Sequence, residues 1–307
     1  MRPEIAVFIY ILSGIIAFFL VCLLSFFLIV FHYLKMLVHP QKRTFEELIE
    51  YEVKEKNFNR KWLEIPFLEM RTTSVYGYNL FGRFYQKKNH NSSKIMISLH
   101  GHNSCSVSQM KYLDMFFEGG FNVFIPDHRY SGFSEGPSVT FGIKEKTDVI
   151  TWMDVLQEKY PEAEFYVFGE SMGAATGIMV SAEDKRVKKL VEYCGFANIP
   201  TLMKQHIKND FLIYKLFWPA MRLLCKIIYR FDLGKSDPLG AMEKISVPVL
   251  IMHSKADSVV GYENAMLLKN AKMEADFVSF SDSIHARSMV KYPEEFKGAV
   301  LEFLSRD

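Results

Sequence analysis

A serine set between glycines is the first feature able to do chemistry: Gly169-Glu170-Ser171-Met172-Gly173 follows the apolar run Phe165 to Phe168 and precedes small residues at Ala174, Ala175 and Gly177. The G-x-S-x-G pattern puts a serine on a tight strand-to-helix turn, where the glycines let neighbouring backbone come close. A neutral hydroxyl is a poor nucleophile. It needs a histidine to take its proton and a carboxylate to fix that histidine's tautomer and stabilise its cation. Both stand downstream in the order serine, acid, histidine. Asp257 lies four residues past the run Val247 to His253, and His285 lies in Ser283-Ile284-His285-Ala286, after the run Asp276 to Phe280. Asp282 is the alternative acid. Acyl transfer also needs main-chain N–H groups for the oxyanion. Met172, directly after the serine, offers one, and His102 in the loop His100-Gly101-His102 offers the other, with nothing required of its side chain.

These residues need a scaffold. Short β-rich runs alternate with amphipathic stretches, which predicts an α/β fold: a mostly parallel central sheet with helices on both faces and its ligand site at the carboxyl ends of the strands. Trp62 to Met70 and Asn79 to Tyr85 read as an opening strand pair turned through Tyr76 to Asn79, and Asn89 to Ser93 as a polar turn. Further strands are expected at Ile95 to Leu99, Phe121 to Pro126, Phe165 to Phe168, Val187 to Cys194, Val247 to His253 and Asp276 to Phe280. Helices are expected at Met110 to Phe117, Ile143 to Tyr160, Met172 to Ser181, Glu263 to Lys269 and Glu294 to Leu304.

The amino terminus departs from this pattern. Ile5 to Leu34 carries no charged side chain, and such a run exceeds the ~20 residues that cross a bilayer. It also exceeds the roughly 7–15-residue apolar core of a cleaved signal and lacks the small residues of a cleavage site, so it reads as a single-pass transmembrane anchor over residues 1–40. Lys35, Lys42 and Arg43 follow the run, against Arg2 and Glu4 before it, which leans the following domain toward the cytoplasm. Residues 41–61, with Phe45, Leu48 and Ile49 on one face, read as a helical connector, and 62–307 as one catalytic domain. The net charge of +2 over 307 residues gives no reason to expect nucleic acid as a partner. Cys105, Cys194 and Cys225, an odd number beyond the anchor, read as unpaired thiols.

Taken together, His100-Gly101, Asp127-His128-Arg129, the serine motif, Asp257 with Val259-Val260, and His285-Ala286 resemble the α/β-hydrolase superfamily from Trp62 to the carboxyl terminus. Within it the chain is similar to the membrane-anchored bacterial branch related to serine aminopeptidase-like and prolyl-oligopeptidase-like hydrolases. It departs from that pattern at Ser254, usually Gly, at Gly261, often Pro, and at Tyr130-Ser131-Gly132, commonly Gly-His-Gly. The resemblance implies ester, thioester or amide cleavage through an acyl-enzyme, with no metal or organic cofactor. It also implies a cap over the active site at the insertion of about 197–246, where aromatic and aliphatic residues interleave with Lys204, Lys208, Lys215, Arg222, Lys226 and Arg230. An apolar cap interior favours a small-molecule or lipid-like acyl ester, and the basic residues form either a solvated helix face or one that lies against anionic lipid. Asp127 and Arg129 are expected to brace the loop face. Three other readings stay open: an aminopeptidase-like amide hydrolase, a metal hydrolase using His100, His102, Asp127 and His128, and a membrane-tethered binding protein without turnover.

Overall fold

The computed structural model describes residues 2–55, 57–87, 92–206 and 211–306. Part of the polar turn at 89–93, and Lys208, lie outside the described residues. Eight strands form one sheet: β1 Leu68–Thr73, β2 Asn79–Tyr85, β3 Lys94–Leu99, β4 Asn122–Pro126, β5 Glu164–Glu170, β6 Val187–Tyr193, β7 Val249–Ser254 and β8 Asp276–Phe280. Their order is β1-β2-β4-β3-β5-β6-β7-β8. The pairs β1/β2 and β2/β4 are antiparallel and every pair from β4/β3 to β7/β8 is parallel.

The helices are α1 Pro3–Val38, α2 Phe45–Lys54, α3 Leu113–Glu118, α4 Glu145–Lys159, α5 Met172–Glu183, α6 Ile199–His206, α7 Phe211–Leu224, α8 Pro238–Met242, α9 Tyr262–Ala271, α10 Ser288–Lys291 and α11 Pro293–Ser305. Side chains alternate across a strand, and β5 shows the result. Phe165 and Val167 enter one core with Trp152 of α4, Ile178 of α5 and Leu268 of α9, while Tyr166 and Phe168 enter the opposite core with Phe116 of α3 and Phe296 of α11. Both faces are therefore covered, as a buried parallel sheet requires.

A third apolar cluster lies above the carboxyl ends of the strands. It joins Val30, Leu34 and Val38 of α1 to Met172 of α5, Phe196, and Met221 of α7. At ~1.5 Å per residue, the 36-residue α1 is roughly 54 Å long, more than the ~30 Å of a bilayer's hydrocarbon core. Its last turns are docked on the rest of the chain. Phe217 of α7 meets Phe26 and Tyr33 edge to face at 5.6 and 5.9 Å, and the Val139 N–H donates to the Val38 carbonyl at 2.9 Å.

Some boundaries differ from the sequence reading. The first strand begins at Leu68, because Trp62 sits in a 3-10 turn, Arg60–Glu64, with its indole N–H donating to Asp114 at 2.9 Å. The helix in the connector ends at Lys54, and its start is fixed by Thr44 and Glu47, which cap each other's backbone N–H. Before Leu113 the chain runs as a 3-10 turn, Ser106–Tyr112, where Ser108 bonds the Cys105 carbonyl.

Candidate active site

Ser171 sits between β5 and α5 with φ 57° and ψ −117°, a left-handed backbone that costs an L-residue strain and turns the chain sharply enough to leave the hydroxyl outside the helix. The flanking glycines explain themselves. A Cβ on Gly169 would overlap the backbone of Gly173 and Ala174, and one on Gly173 would overlap the carbonyls of Leu99 and His100. Parallel pairing of β3, β5 and β6, regular at their carboxyl ends with Leu99 opposite Gly169 and Glu170 opposite Tyr193, brings the His100 loop, Ser171 and Cys194 to one edge of the sheet.

Asp257 and His285 arrive at that edge from the loops after β7 and β8. The imidazole Nδ1–H of His285 donates to Asp257 Oδ2 at 2.6 Å, and Nε2 faces Ser171 Oγ at 2.9 Å. One tautomer satisfies both contacts, leaving the Nε2 lone pair to accept the serine hydroxyl. Asp257 is held rigidly, since its Oδ1 accepts from the backbone N–H of Val259 and of Val260, both at 2.9 Å. The structure brings Asp257 to His285 and leaves Asp282 elsewhere, exposed and paired with Lys291 at 2.7 Å. Among the described residues, neither the Met172 nor the His102 main-chain N–H is taken by a protein acceptor. Gly101 places the His102 loop against the serine, its absent Cβ lying 3.3 Å from that of Ser171.

The His102 side chain does have a partner. Its Nε2–H donates to the Leu37 carbonyl at the end of α1, at 2.7 Å, and its ring stacks on Phe141 at 5.3 Å. His100 is spent locally: Nδ1–H donates to the Gly101 carbonyl at 2.8 Å and Nε2 accepts the His128 N–H at 2.9 Å. Burial holds His100, His102 and His128 below the usual histidine range. Asp127 accepts the N–H groups of Ser106 at 2.7 Å and Phe133 at 2.9 Å, and Arg129 donates to the Ser138 carbonyl at 2.8 Å, so both brace the loops.

Three features escaped sequence reasoning. Cys194 lies beside Asp257 and His285, their ligand atoms all within 4.8 Å of one another, and burial pushes its thiol well above the usual range, which keeps it protonated. It is a free thiol, like Cys105 and Cys225. Its place immediately after β6 was the available signal. Second, Glu170 of the serine motif forms a buried ion pair with Lys111 at 2.7 Å and accepts from Tyr112 at 2.5 Å. Third, Ser171 and His102 stand between two cavities. One of about 680 Å³ is almost wholly apolar, walled by α1, Phe141, Phe196, Met203 and Met221. The other, of about 210 Å³, is mixed, with Glu52, Asn57, Ser104 and Arg287 among its walls.

Comparison with known proteins agrees with this architecture. A family profile described as alpha/beta hydrolase fold matches residues 94–218. The chain is 26% identical over 281 residues to an uncharacterized Bacillus subtilis protein, YqkD, covering 88% of this chain and 90% of that one. It is 23% identical over 259 residues to the monoglyceride lipase of Mus musculus, covering 69% and 81% respectively. Among solved structures, the Pyrococcus furiosus esterase Pf2001 superposes with a TM-score of 0.65 at 25% identity, over 81% of this chain and 94% of that one. A Pyrococcus horikoshii acylaminoacyl peptidase superposes with a TM-score of 0.59 at 14% identity, over 78% of this chain and 41% of that one.

Proposed function

We propose that this member of the α/β-hydrolase superfamily is a membrane-anchored serine hydrolase that cleaves carboxylic esters or thioesters with hydrophobic acyl groups. The observation that carries the reading is the continuous contact Ser171 Oγ to His285 Nε2 to Asp257, 2.9 and 2.6 Å, beside two backbone N–H groups that no acceptor among the described residues engages.

In this reading Ser171 Oγ attacks the substrate carbonyl carbon as its proton passes to His285 Nε2, and Asp257 stabilises the imidazolium without taking the proton. The carbonyl π pair moves onto oxygen, where the Met172 and His102 N–H groups receive the charge. On collapse the C–O or C–S bond to the leaving group breaks, and His285 returns its proton to the departing oxygen or sulfur. Water, deprotonated by the same imidazole, then releases the carboxylic acid and regenerates the serine. The proton that Ser171 loses to the leaving group is replaced from the water, each transfer passing through His285. The apolar cavity at Ser171 matches in size and lining what holds a largely hydrophobic ligand, roughly 300–1,000 Å³, and supports an acyl chain over a charged peptide terminus. The names of two relatives, an esterase and a monoglyceride lipase, support ester cleavage. The length and apolarity of α1 support a membrane span, and Lys35, Lys42 and Arg43 after it support a cytoplasmic catalytic side.

The test is a serine-directed fluorophosphonate with the labelled peptide mapped by mass spectrometry. Label on Ser171 in the wild type and none in Ser171→Ala is expected, with activity insensitive to chelator. Absence of label would favour a binding protein without turnover. A panel of p-nitrophenyl acyl esters against aminoacyl anilides decides the substrate class, and preference for the anilides would overturn the ester assignment.

A further inference from the structure

The helix proposed as the membrane anchor is also a wall of the cavity at Ser171. Ile29, Tyr33, Met36 and Leu37 of α1 line the large apolar cavity together with residues of α6 and α7. Two faces of the same helix do different things. Val30, Leu34 and Val38 are completely buried in the cluster that joins the cap to Val139, Phe141 and Met172, while Ile29, Tyr33 and Met36 stay 51, 53 and 58% exposed, which places them at the mouth of the cavity. The mouth therefore opens alongside α1. The surface beside it is also apolar: Leu216 and Leu223 of α7, and Ile227 and Ile228 just after it, are all exposed. An exposed apolar surface of this kind, interleaved with the half-exposed Lys226, suits a partner or a membrane. Here it adjoins the end of a helix whose preceding apolar turns are long enough to sit in hydrocarbon.

From Leu24 to Met36 the helix rises ~18 Å, so a mainly apolar face, broken by Ser25 and His32, leads from the far end of α1 to the cavity at the reacting serine. The hydrogen bond from His102 to the Leu37 carbonyl fixes the end of that face to the loop carrying the second oxyanion donor.

We infer that α1 is a substrate-binding element as well as an anchor: the substrate is a bilayer-resident acyl ester whose chain enters along Ile29, Tyr33 and Met36, with its polar leaving group in the second cavity. The inference rests on the serine-hydrolase reading and specifies the source and path of the substrate. Because both the hydrocarbon core and the cavity are apolar, the chain passes between them without crossing water, and only the ester group and headgroup change surroundings. The mixed cavity, with Asn57, Ser104 and Arg287 in its walls, suits that polar part.

The experiment uses the full-length chain in phosphatidylcholine nanodiscs and an alkyl fluorophosphonate carrying a diazirine at the far end of a twelve-carbon chain, a length chosen at about the size the cavity admits. The probe is expected to attach at Ser171 and, on illumination, to cross-link to the peptide containing residues 29–37. Attachment at Ser171 with cross-links confined to peptides outside α1 overturns the inference and leaves the hydrolase reading standing. Failure to attach overturns the reading on which it rests. A second measurement compares kcat/KM for p-nitrophenyl dodecanoate and acetate. Excluding room for about two methylenes is worth roughly tenfold, so Ile29→Trp and Met36→Trp should each lower the dodecanoate to acetate ratio by about tenfold or more. Leu28→Trp, on an exposed part of α1 outside the cavity lining, should leave the ratio unchanged. Equal ratios in all three variants and the wild type would overturn the inference.

Discussion

Replacing Asp257 by Asn tests the proposed chemistry with the least change of shape. The two oxygens of Asp257 do different work: Oδ1 accepts two backbone N–H groups, from Val259 and Val260, and Oδ2 accepts His285 Nδ1–H. An Asn amide must keep its oxygen toward the two N–H groups, because its NH₂ there would set donor against donor. Its NH₂ then faces His285 Nδ1, which can accept that hydrogen only by giving up its own proton. The imidazole is driven to the Nε2–H tautomer, whose proton points at Ser171 Oγ, and the hydroxyl loses its base. A carboxamide in this position elsewhere lowers kcat by on the order of 10⁴, about 5.5 kcal/mol of transition-state stabilisation. The assay is steady-state hydrolysis of a p-nitrophenyl ester with substrate in excess, the slow release of p-nitrophenolate being followed at raised enzyme concentration. Thermal stability should stay near wild type, since both backbone contacts survive. A loss of less than about tenfold would refute the reasoning, for it would mean that Asp257 does not select the histidine tautomer.

The Glu170 and Lys111 side chains are both nearly inaccessible, so Lys111→Met strands a buried carboxylate and should lower stability by about 3–5 kcal/mol, read as a shifted thermal midpoint. A shift within experimental error would show that the pair is dispensable. Gly173→Ala should prevent accumulation of folded chain, because the new methyl meets the Leu99 and His100 carbonyls, and a folded, phosphonate-reactive variant would contradict that packing. Burial pushes Glu192 up to about 8, above the ordinary glutamate value. The fold therefore favours its neutral form. The associated stability is complete below the unfolded-state pKa and is lost as pH rises toward about 8, amounting to several kcal/mol across that window. Glu192→Gln should flatten the dependence of the thermal midpoint between about pH 5 and about pH 8, and an unchanged slope would reject the assignment.

Much of the sheet was legible because its signals are local. The runs that became β3, β5 and β7 are short, apolar and bounded by polar or glycine positions, and a serine between glycines at the end of one of them specifies a turn on sight. The meeting of Ser171, Asp257 and His285 could be expected from chain order alone, because the loops after parallel strands all emerge on one side. Packing between distant segments was not legible. An apolar helix such as α1 reads the same whether its last turns face lipid or a cap, so the burial of Val30, Leu34 and Val38 could not be foreseen. For the same reason the His102 imidazole looked idle, since its acceptor lies 65 residues earlier on a segment assigned to the membrane. The late start of β1 has a different cause: the Trp62 indole found Asp114 across the structure and drew its segment into a tight turn.

The position of β8 bears on how the molecule loses activity. It is one rim of the sheet, bonded among the described residues to β7 alone and half-covered for most of its length, whereas β5 is enclosed by neighbours on both sides. His285 hangs from that rim, steadied by the Ser288 N–H donating to Tyr193 Oη at 2.8 Å. Marginal strands fray before central ones. Warming should therefore unseat the proposed base while the interior stays intact, so that inactivation runs ahead of melting and reverses on cooling as long as the rim alone has opened.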